Sequence, residues 1–310
     1  MTLTIIVAVL CFSNSKASAQ PRVFFNPQEE ERPHISRIVS LVPAATEILF
    51  ALGLGEKIKG VSTYCRFPEA ALKIDHIGDL YRPNLEKMAA INPNLIVVHG
   101  SEYQNKFLYR KLNSQVIGYE VHRLSHILDG IKMIGDYVDK RTQAQAIVED
   151  IQLHIEEIQT KTQGLRRPRV LLTFMRDWGR GEIGEIYIAG QHSYFNEILD
   201  IAGGENAYQN NKWITSPVIS AEGVLSINPD IIIELVPPET SSKLTREQIL
   251  KDWDMLPTLK AFQEKQIYLF DAEYAGIPGP RIVRVMDDIV HFIHPHVIVQ
   301  RGDGPLNKVE

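Results

Sequence analysis

Two glutamates stand in copies of the same short pattern, one in each half of the chain. Glu86 and Glu222 each precede an Ile-Asn-Pro triplet by five residues, and an apolar run follows each triplet. Asn84 and Ser220, two residues before the acids, are of the types that cap helices. A carboxylate in a first helical turn complements the helix dipole, which is the structural interpretation. The functional alternative is a pair of exposed acids that dock on basic residues of a twofold-symmetric partner.

Aromatic residues in predicted loops and at strand ends form a second group of candidates. Stacking on a flat ligand needs broad apolar faces at a low cost in conformational entropy, which Phe, Tyr and Trp supply. Aromatic residues also bury large areas in any core, so we expect about half of these candidates to have no ligand role. The candidates for ligand contact are Tyr64, Tyr81, Tyr103, Phe174, Trp178, Trp213 and Tyr274.

Arg281 and His99 are the polar candidates for ligand contact. Arg281 follows a Pro-Gly-Pro turn and opens a predicted helix, and its fork of donors can bind an amide, a phosphate or a carboxylate. A salt bridge at the surface of the fold is an equal alternative. His99, His192 and Tyr274 could supply axial ligands to iron, as His and Tyr do for haem. A solvated loop side chain is the alternative for each histidine.

His291, His294 and His296 form a cluster at the end of the last predicted helix. Several imidazoles can hold a metal ion tightly. However, Pro295 interrupts the cluster, and histidines at a helix end also complement the dipole. The sequence contains no G-x-S-x-G elbow, Walker loop, H-E-x-x-H pair or dinucleotide fingerprint. We therefore predict a binding protein without catalytic residues, metal or cofactor of its own, and an exported metal-dependent enzyme is the distant alternative.

Alternating strands and helices must position these residues. Strands separated by helices predict a mainly parallel sheet in each half. Thr46 is expected to cap a helix that runs to Phe50. Between the halves, residues 125–162 predict either one long spine or two helices broken near Lys140. The apolar runs that predict buried strands lie at residues 37–42, 57–61, 95–98, 115–119, 169–174, 231–233 and 267–270.

The two halves repeat one another in order. Glu47-Ile48-Leu49 followed by Gly53 matches Glu197-Ile198-Leu199 followed by Gly203, and the Asn-Pro patterns come next in both halves. A duplicated α/β lobe with a ligand cleft between the copies explains this order. The expected segments are a signal peptide at 1–19, a linker at 20–35, an N-terminal lobe at 36–124, a bridging helix at 125–166, a C-terminal lobe at 167–297 and a polar tail at 298–310.

The N-terminus is typical of an exported protein. Residues 3–12 are apolar, and Ala17-Ser18-Ala19 forms a cleavage site, although no Lys or Arg precedes the apolar run. Cys11 follows a leucine rather than a small residue, which argues against lipidation, and Cys65 is left without a disulfide partner in the mature chain. The chain of 310 residues has a net charge of −5, which gives no electrostatic basis for binding nucleic acid.

Five short motifs resemble the periplasmic cobalamin-binding proteins, and more broadly the iron-siderophore, haem and B12 class of ABC-transporter binding proteins. The resemblance runs from about Ser36 to His296. It implies a class III periplasmic binding protein fold, in which two Rossmann-like α/β lobes are bridged by one long helix and hold a ligand between them. The motifs lie at residues 37–48, 61–68, 84–86, 203–206 and 280–281.

The resemblance also implies a function and roles for individual residues. Glu86 and Glu222 match the glutamates that form salt bridges to the permease arginines of an ABC importer. Tyr64 matches an aromatic residue that packs on the corrin. His99 stands where the family has an aromatic residue, which leaves haem or a ferric siderophore as alternatives to cobalamin or another corrinoid. The implied protein is a periplasmic monomer that delivers its ligand to a permease dimer.

Overall fold

The computed structural model describes residues 34–105, 109, 111–210 and 212–299. The predicted signal peptide with Cys11, residues 20–33 of the predicted linker, the side chain of Tyr103 and residues 300–310 of the predicted tail lie outside the described residues. Cys65 is buried with a free thiol, and burial raises the pKa of that thiol. Of the helices described, none combines the length and the apolar composition that a membrane span requires.

The first half of the chain folds around four parallel strands. They are β1 (Ile38–Ser40), β2 (Ile58–Val61), β3 (Leu95–His99) and β4 (Gln115–Tyr119). The strand order is β2-β1-β3-β4, and every pairing is parallel. All of β1 and four of the five residues of β3 are buried, as expected for the centre of a parallel sheet. The four predicted strands of this half are confirmed.

The second half folds around a mixed sheet. Its strands are β5 (Arg169–Met175), β6 (Ile186–Ile188), β7 (Glu205–Asn206), β8 (Val218–Ile219), β9 (Ile231–Leu235) and β10 (Ile267–Phe270). The order is β10-β9-β5-β6-β8, with β7 beside β5. The pairings among β10, β9, β5 and β7 are parallel, whereas β6 is antiparallel to β5 and to β8. The parallel core of this sheet was predicted, and the short strands β6, β7 and β8 were not.

Helices connect the strands in both halves. They are α1 (Pro43–Ala51), α2 (Leu85–Ile91), α3 (Leu124–Tyr137), α4 (Arg141–Thr162), α5 (Tyr194–Ile201), α6 (Ala221–Ile227), α7 (Pro238–Ser241), α8 (Arg246–Leu250), α9 (Lys260–Gln263) and α10 (Ile282–Ile293). The alternation of strands and helices confirms the predicted α/β fold of two lobes. Helix α1, the pair α2 and α6, and the bridge between the lobes position the site.

Helix α1 begins one turn earlier than predicted. Pro43 occupies its first turn, where the fixed φ of proline suits a helix and the missing N–H costs nothing. Val42 is the N-cap residue, so the prediction that Thr46 caps this helix is wrong. Thr46 lies inside the helix, and its Oγ1 is 2.8 Å from the Oγ of Ser40 and 3.1 Å from the carbonyl oxygen of Val42. Its hydroxyl therefore ties α1 to the end of β1.

The two helices that carry the repeated glutamates have the same caps. The side chain of Asn84 accepts a hydrogen bond from the N–H of Lys87 at 2.9 Å, and Ser220 Oγ accepts one from the N–H of Gly223 at 3.4 Å. Both helices end at an asparagine in the left-handed conformation, with φ values of 49° at Asn92 and 42° at Asn228. The predicted N-caps are confirmed.

Two helices, rather than one, cross between the lobes. The region expected as a single helix over 125–166 is interrupted after α3, where Asp139 has a φ of 63°, and α4 starts after Lys140. The alternative with a break near Lys140 is therefore the correct one, and the 22-residue α4 is the long bridging helix. A Cβ atom on Gly135 would lie 2.2 Å from the Cβ of Ala144, so α3 packs closely on α4 because residue 135 is glycine.

One apolar core continues through both lobes and the bridge. Its buried members include Ile96 on β3, Ile151 on α4, Ile198 on α5 and Ile289 on α10. A second, smaller cluster of buried residues around Trp253 packs in the C-terminal lobe. Because the bridge contributes to the shared core, the two lobes are joined by buried apolar contacts as well as by the chain.

Candidate functional site

A cleft lies between the two lobes, beside the carboxyl ends of the parallel strands. Pro43 follows β1, and the segment 64–67 follows β2, both from the N-terminal lobe. The segments 235–239 and 272–277 follow β9 and β10 of the C-terminal lobe. The empty space measures about 960 Å³, which includes solvent at its mouth. Ligands of open α/β sheets bind at this edge, so this cleft is the candidate ligand site.

The walls of the cleft are mostly apolar and aromatic. Tyr64 and Phe67 come from the N-terminal lobe, and Phe174 faces them from the end of β5. Burial raises the pKa of the Tyr64 phenol, and the nearby carboxylates of Asp79 and Glu239 act in the same direction. The phenol therefore stays neutral and offers both a flat face and a hydroxyl. The charged residues of the wall are Arg66, Glu239, Glu273 and Arg281.

Arg281 joins the two lobes at the inner end of the cleft. Its Nη2 and Nε donate to the two carboxylate oxygens of Glu47 at 2.6 and 3.1 Å, and its Nη1 donates to Glu273 at 2.5 Å. The guanidinium carbon lies 3.8 Å from the centre of the Phe67 ring. Burial raises the pKa of Glu47, whereas the hydrogen bond and the positive charge of Arg281 oppose that rise. The salt-bridge alternative for Arg281 is thus realised, although in the interior rather than at the surface.

A second ion pair crosses the cleft nearer its mouth. Arg66 from the N-terminal lobe donates to Oε1 of Glu239 in the C-terminal lobe at 3.1 Å. The two side chains are 47% and 35% exposed, so solvent screens this pair. Oε2 of Glu239 is buried and has no hydrogen-bond donor among the described residues.

Tyr81 and His99 lie together in the N-terminal lobe, and neither contributes to the wall of the cleft as described. Their rings are 6.4 Å apart between centres. The Nδ1 of His99 is 2.8 Å from the Oγ of Ser101, and burial lowers the pKa of the imidazole. Ligand contact by Tyr81 and His99 stays a prediction.

Trp178 lies in the loop after β5 and does not line the cleft; it packs against a small cluster that includes Ile249 and the cleft residue Val236. Its indole N–H donates to Glu234 at 2.7 Å. Glu234 also binds the buried guanidinium of Arg176, whose Nε lies 2.6 Å from the carboxylate. These charge-assisted contacts hold the loop against the C-terminal lobe, and Trp178 contributes to them through its indole N–H. Its ligand role stays a prediction.

Trp213 and Tyr274 also have partners outside the cleft wall. The ring of Trp213 is 49% exposed and stacks on His192 at 3.9 Å between centres. The hydroxyl of Tyr274 donates to Asp288 at 2.8 Å, and the Arg281 guanidinium lies 5.4 Å from its ring centre. Tyr274 thus adjoins the site through Arg281, whereas Trp213 lies at the surface.

Two of the three C-terminal histidines lie close together, and one of them is buried. His294 is buried, and its Nε2 is 3.3 Å from the carbonyl oxygen of Gly203. Its ring centre lies 6.0 Å from that of His296. Within the ranges 34–105, 109, 111–210 and 212–299, no three His, Cys, Asp or Glu side chains are arranged to hold a metal ion.

The repeated glutamates are exposed, each in the first turn of its helix. The Oγ of Ser220 donates to Oε2 of Glu222 at 2.6 Å, and this hydrogen bond lowers the pKa of the Glu222 carboxyl. Glu222 is therefore held as an anion at the surface of the C-terminal lobe, at the position that matches Glu86 in the N-terminal lobe.

Two similar lobes around one cleft are the architecture of a solute receptor, and the periplasmic binding protein family model, Peripla_BP_2, matches residues 38–274. The chain belongs to the periplasmic binding protein family. This confirms the resemblance drawn from the five motifs and the predicted fold class. The matched segment covers both lobes from β1 to Tyr274 and therefore includes the whole of the cleft except its last residues.

The relatives of this binding protein include proteins named for ABC transport, for vitamin B12 and for heme. An uncharacterized ABC transporter substrate-binding lipoprotein of Bacillus subtilis is 24% identical over 84% of this chain and 80% of its own length. A vitamin B12-binding protein of Vibrio vulnificus is 27% identical over 83% of this chain and 90% of its own length. The structure of Staphylococcus aureus IsdE complexed with heme is 25% identical, with a TM-score of 0.67 over 83% of this chain and 98% of that one.

The structure brings Tyr64, Phe174 and Arg281 together and adds residues that sequence reasoning missed. Phe67 and Glu239 were not predicted to contact ligand, although both line the cleft of the binding protein. The signal for them was positional: each lies a few residues after a buried strand, where the carboxyl ends of parallel strands meet. The rule applies to every strand, so it identifies the edge of the sheet and not the individual side chain.

Proposed function

We propose that this binding protein is exported, captures a corrinoid between its lobes and delivers it to the permease of an ABC importer. The observation that supports this most is the cleft, where Tyr64 and Phe67 from one lobe meet Phe174 from the other in a largely apolar space. Broad aromatic faces suit a flat macrocycle. Relatives at 23–27% identity are named vitamin B12-binding proteins, which agrees with a ligand of this kind.

Haem or a ferric siderophore in the same cleft is the alternative, and the S. aureus structure holds heme. The candidate iron ligands already have partners in this chain. The Tyr274 hydroxyl binds Asp288, the His99 imidazole contacts Ser101, and the His192 ring stacks on Trp213. Iron coordination by the Tyr274 oxygen would compete with its hydrogen bond to Asp288, and neither His99 nor His192 lines the cleft, which favours the corrinoid.

The first experiment is a titration of cyanocobalamin into the chain of residues 20–310, in which binding is measured by calorimetry and, in parallel, by tryptophan fluorescence. We expect saturable one-to-one binding at micromolar affinity or tighter, which corresponds to about −8 kcal/mol or more. Haem and a ferric siderophore are titrated in parallel. Binding of either, in the absence of any response to cyanocobalamin, would sink the corrinoid proposal and leave the receptor class intact.

We further propose that Glu86 and Glu222 dock on permease arginines. Both are exposed in the first turns of helices with the same caps, one per lobe, so they present equivalent carboxylates to a partner with twofold symmetry. Lobe separation on docking would release the ligand. Such a contact is electrostatic and depends on charge rather than on side-chain shape.

The docking experiment compares uptake by the wild type with uptake by the double variant Glu86→Gln and Glu222→Gln. We expect loss of uptake with unchanged ligand affinity and unchanged stability. The control is Glu247→Gln, an exposed glutamate in the first turn of α8. Unimpaired uptake by the folded double variant would rule out the docking role.

A further inference from the structure

The charged groups of the cleft are paired in a way that restricts the ligand. We infer that the cleft selects ligands that carry uncharged hydrogen-bond donors, such as primary amides, over the same ligands carrying carboxylates, and that Glu239 accepts one of these donors. This inference rests on the proposed function, since it specifies the periphery of the ligand held in that cleft.

Both arginines of the wall already have carboxylate partners in the chain itself. All three nitrogens of the Arg281 guanidinium donate to carboxylates of the chain itself, those of Glu47 and Glu273. The Nη2 of Arg66 donates to Glu239. Among these five groups, the Glu47, Glu239 and Glu273 carboxylates outnumber the two guanidinium groups by one, and Arg284, whose charge lowers the pKa of Glu47, does not line the cleft.

Glu239 presents an acceptor that the protein leaves unused. Oε1 accepts from Arg66, whereas Oε2 is buried and meets no donor within the described part of the chain. A buried acceptor without a donor is costly, so a ligand N–H or O–H that reaches Oε2 as the carboxylate rotates toward the cleft would satisfy it. Pro238 opens the short helix α7 that holds Glu239, and Pro237 precedes it with a φ of −60°, so the backbone that presents this carboxylate is restricted.

A ligand carboxylate at the same place would be disfavoured twice. Next to Glu239 or Glu273 it would meet a like charge. To gain Arg281 it would have to displace Glu47, which is 3% exposed and would be left as an uncompensated buried charge. The attraction of Arg66, which is 47% exposed, is screened by solvent. An amide avoids both costs because it is neutral and donates to the unused oxygen of Glu239. The amide-bearing edge of a corrinoid satisfies this requirement.

The test uses matched pairs of probes on the full mature chain. Cyanocobalamin is compared with its derivative in which one peripheral amide is hydrolysed to a carboxylate, and haem is compared with its dimethyl ester. We expect the uncharged member of a pair to bind about tenfold tighter or more, a difference of about 1.4 kcal/mol. Equal or tighter binding of the carboxylate form would overturn the inference.

The role of Glu239 is tested by Glu239→Gln, which keeps the shape and removes the charge. We expect the preference for the uncharged probe to fall about tenfold, whereas Glu264→Gln, at an exposed position in the C-terminal lobe, leaves it unchanged. An unchanged preference in folded Glu239→Gln would refute its role. If this variant fails to fold, the wild-type ratio still decides the selectivity.

The outcomes also separate this inference from the proposed function. If cyanocobalamin does not bind but the haem ester binds more tightly than haem, the corrinoid proposal fails and the charge selectivity stands. If cyanocobalamin binds and its carboxylate derivative binds equally well, the corrinoid proposal stands and the charge selectivity fails. If no probe binds, both are wrong.

Discussion

Glu47 and Glu197 occupy matching positions in the two halves of the chain, and each carboxylate binds the arginine that starts a helix of the other half. Glu47 on α1 accepts from Arg281, the N-cap residue of α10, at 2.6 Å. Glu197 on α5 accepts from Arg123, the N-cap residue of α3, at 3.0 Å and from the N–H of Leu124 at 2.7 Å. The repeated Glu-Ile-Leu sequence thus encodes a pair of contacts between the lobes.

The two contacts differ in burial, and this predicts a difference in stability. Arg281 and Glu47 are 6% and 3% exposed, whereas Arg123 and Glu197 are 48% and 29% exposed. Arg281→Ala leaves a buried carboxylate without its cation and should lower the free energy of unfolding by about 3–5 kcal/mol. Arg123→Ala should cost about 0–1 kcal/mol. Urea denaturation measures both, and equal losses would contradict the argument from burial.

The pH dependence of stability should follow the buried histidines. Burial lowers the pKa of His294 and of His126 below the ordinary value of about 6.5. Because the unfolded chain takes up these protons first, the stabilisation is present above pH 6.5 and is lost as the pH falls from there through the folded pKa values. The loss is at most about 1.4 kcal/mol per pH unit for each histidine.

The measurement is urea denaturation of the wild type and of His294→Gln between pH 7.5 and 5, a range chosen around the ordinary histidine pKa of about 6.5. Glutamine can still donate to the carbonyl oxygen of Gly203, so we expect a smaller decline with pH in this variant. The exposed His76 provides the control substitution His76→Gln. A decline of the same slope in all three proteins would show that His294 is not responsible.

The close packing of α3 on α4 should be sensitive to one methyl group. In Gly135→Ala the new Cβ would lie 2.2 Å from the Cβ of Ala144, so the helices must separate at the cost of about 1–3 kcal/mol. Gly184→Ala places its Cβ in open space and serves as the control. Thermal or urea unfolding measures the difference. The double variant Gly135→Ala with Ala144→Gly should regain most of the loss, and failure to do so would point to another cause.

Ligand affinity should depend on the aromatic residues of the cleft and not on those outside it. Tyr64→Ala removes an aromatic face from the wall and should weaken cyanocobalamin binding about tenfold, in line with the 0.5–1.5 kcal/mol of a stacking contact plus lost apolar burial. Trp213→Ala removes a larger ring that stacks on His192 at the surface and should leave the affinity unchanged. Calorimetry decides, and a greater loss in Trp213→Ala would place the ligand elsewhere.

The elements that were predictable are those whose signal is local. The apolar runs predicted β1 to β5, β9 and β10, because a strand buried on both faces needs a continuous apolar sequence. Asn84 and Ser220 were predictable as caps for the same local reason. The short strands β6 and β8 were not, because two or three residues pair there only where neighbouring strands already provide an edge.

The site was predictable in part. Tyr64 and Arg281 follow strands, Phe174 lies near the end of β5, and all three line the cleft. Trp178 also follows a strand, yet its indole turns to Glu234, a partner 56 residues further along the chain. Nothing in the sequence near Trp178 shows whether its side chain lines the cleft or binds Glu234. The hydrogen bond to this buried carboxylate depends on how β5 and β9 lie side by side.

By itself, the sequence determined the two α/β halves, their repeat and the family motifs, because each of these is recognised from short segments of contiguous residues. Only the tertiary structure decided that Arg281 binds Glu47, 234 residues away, and that Glu239 lines the cleft with one carboxylate oxygen buried and without a donor among the described residues. The physical reason is that the apolar core sets the positions of the strands, and these positions decide which oppositely charged side chain lies within reach of each charge. Packing of the lobes fixes those positions, and sequence separation carries no information about them.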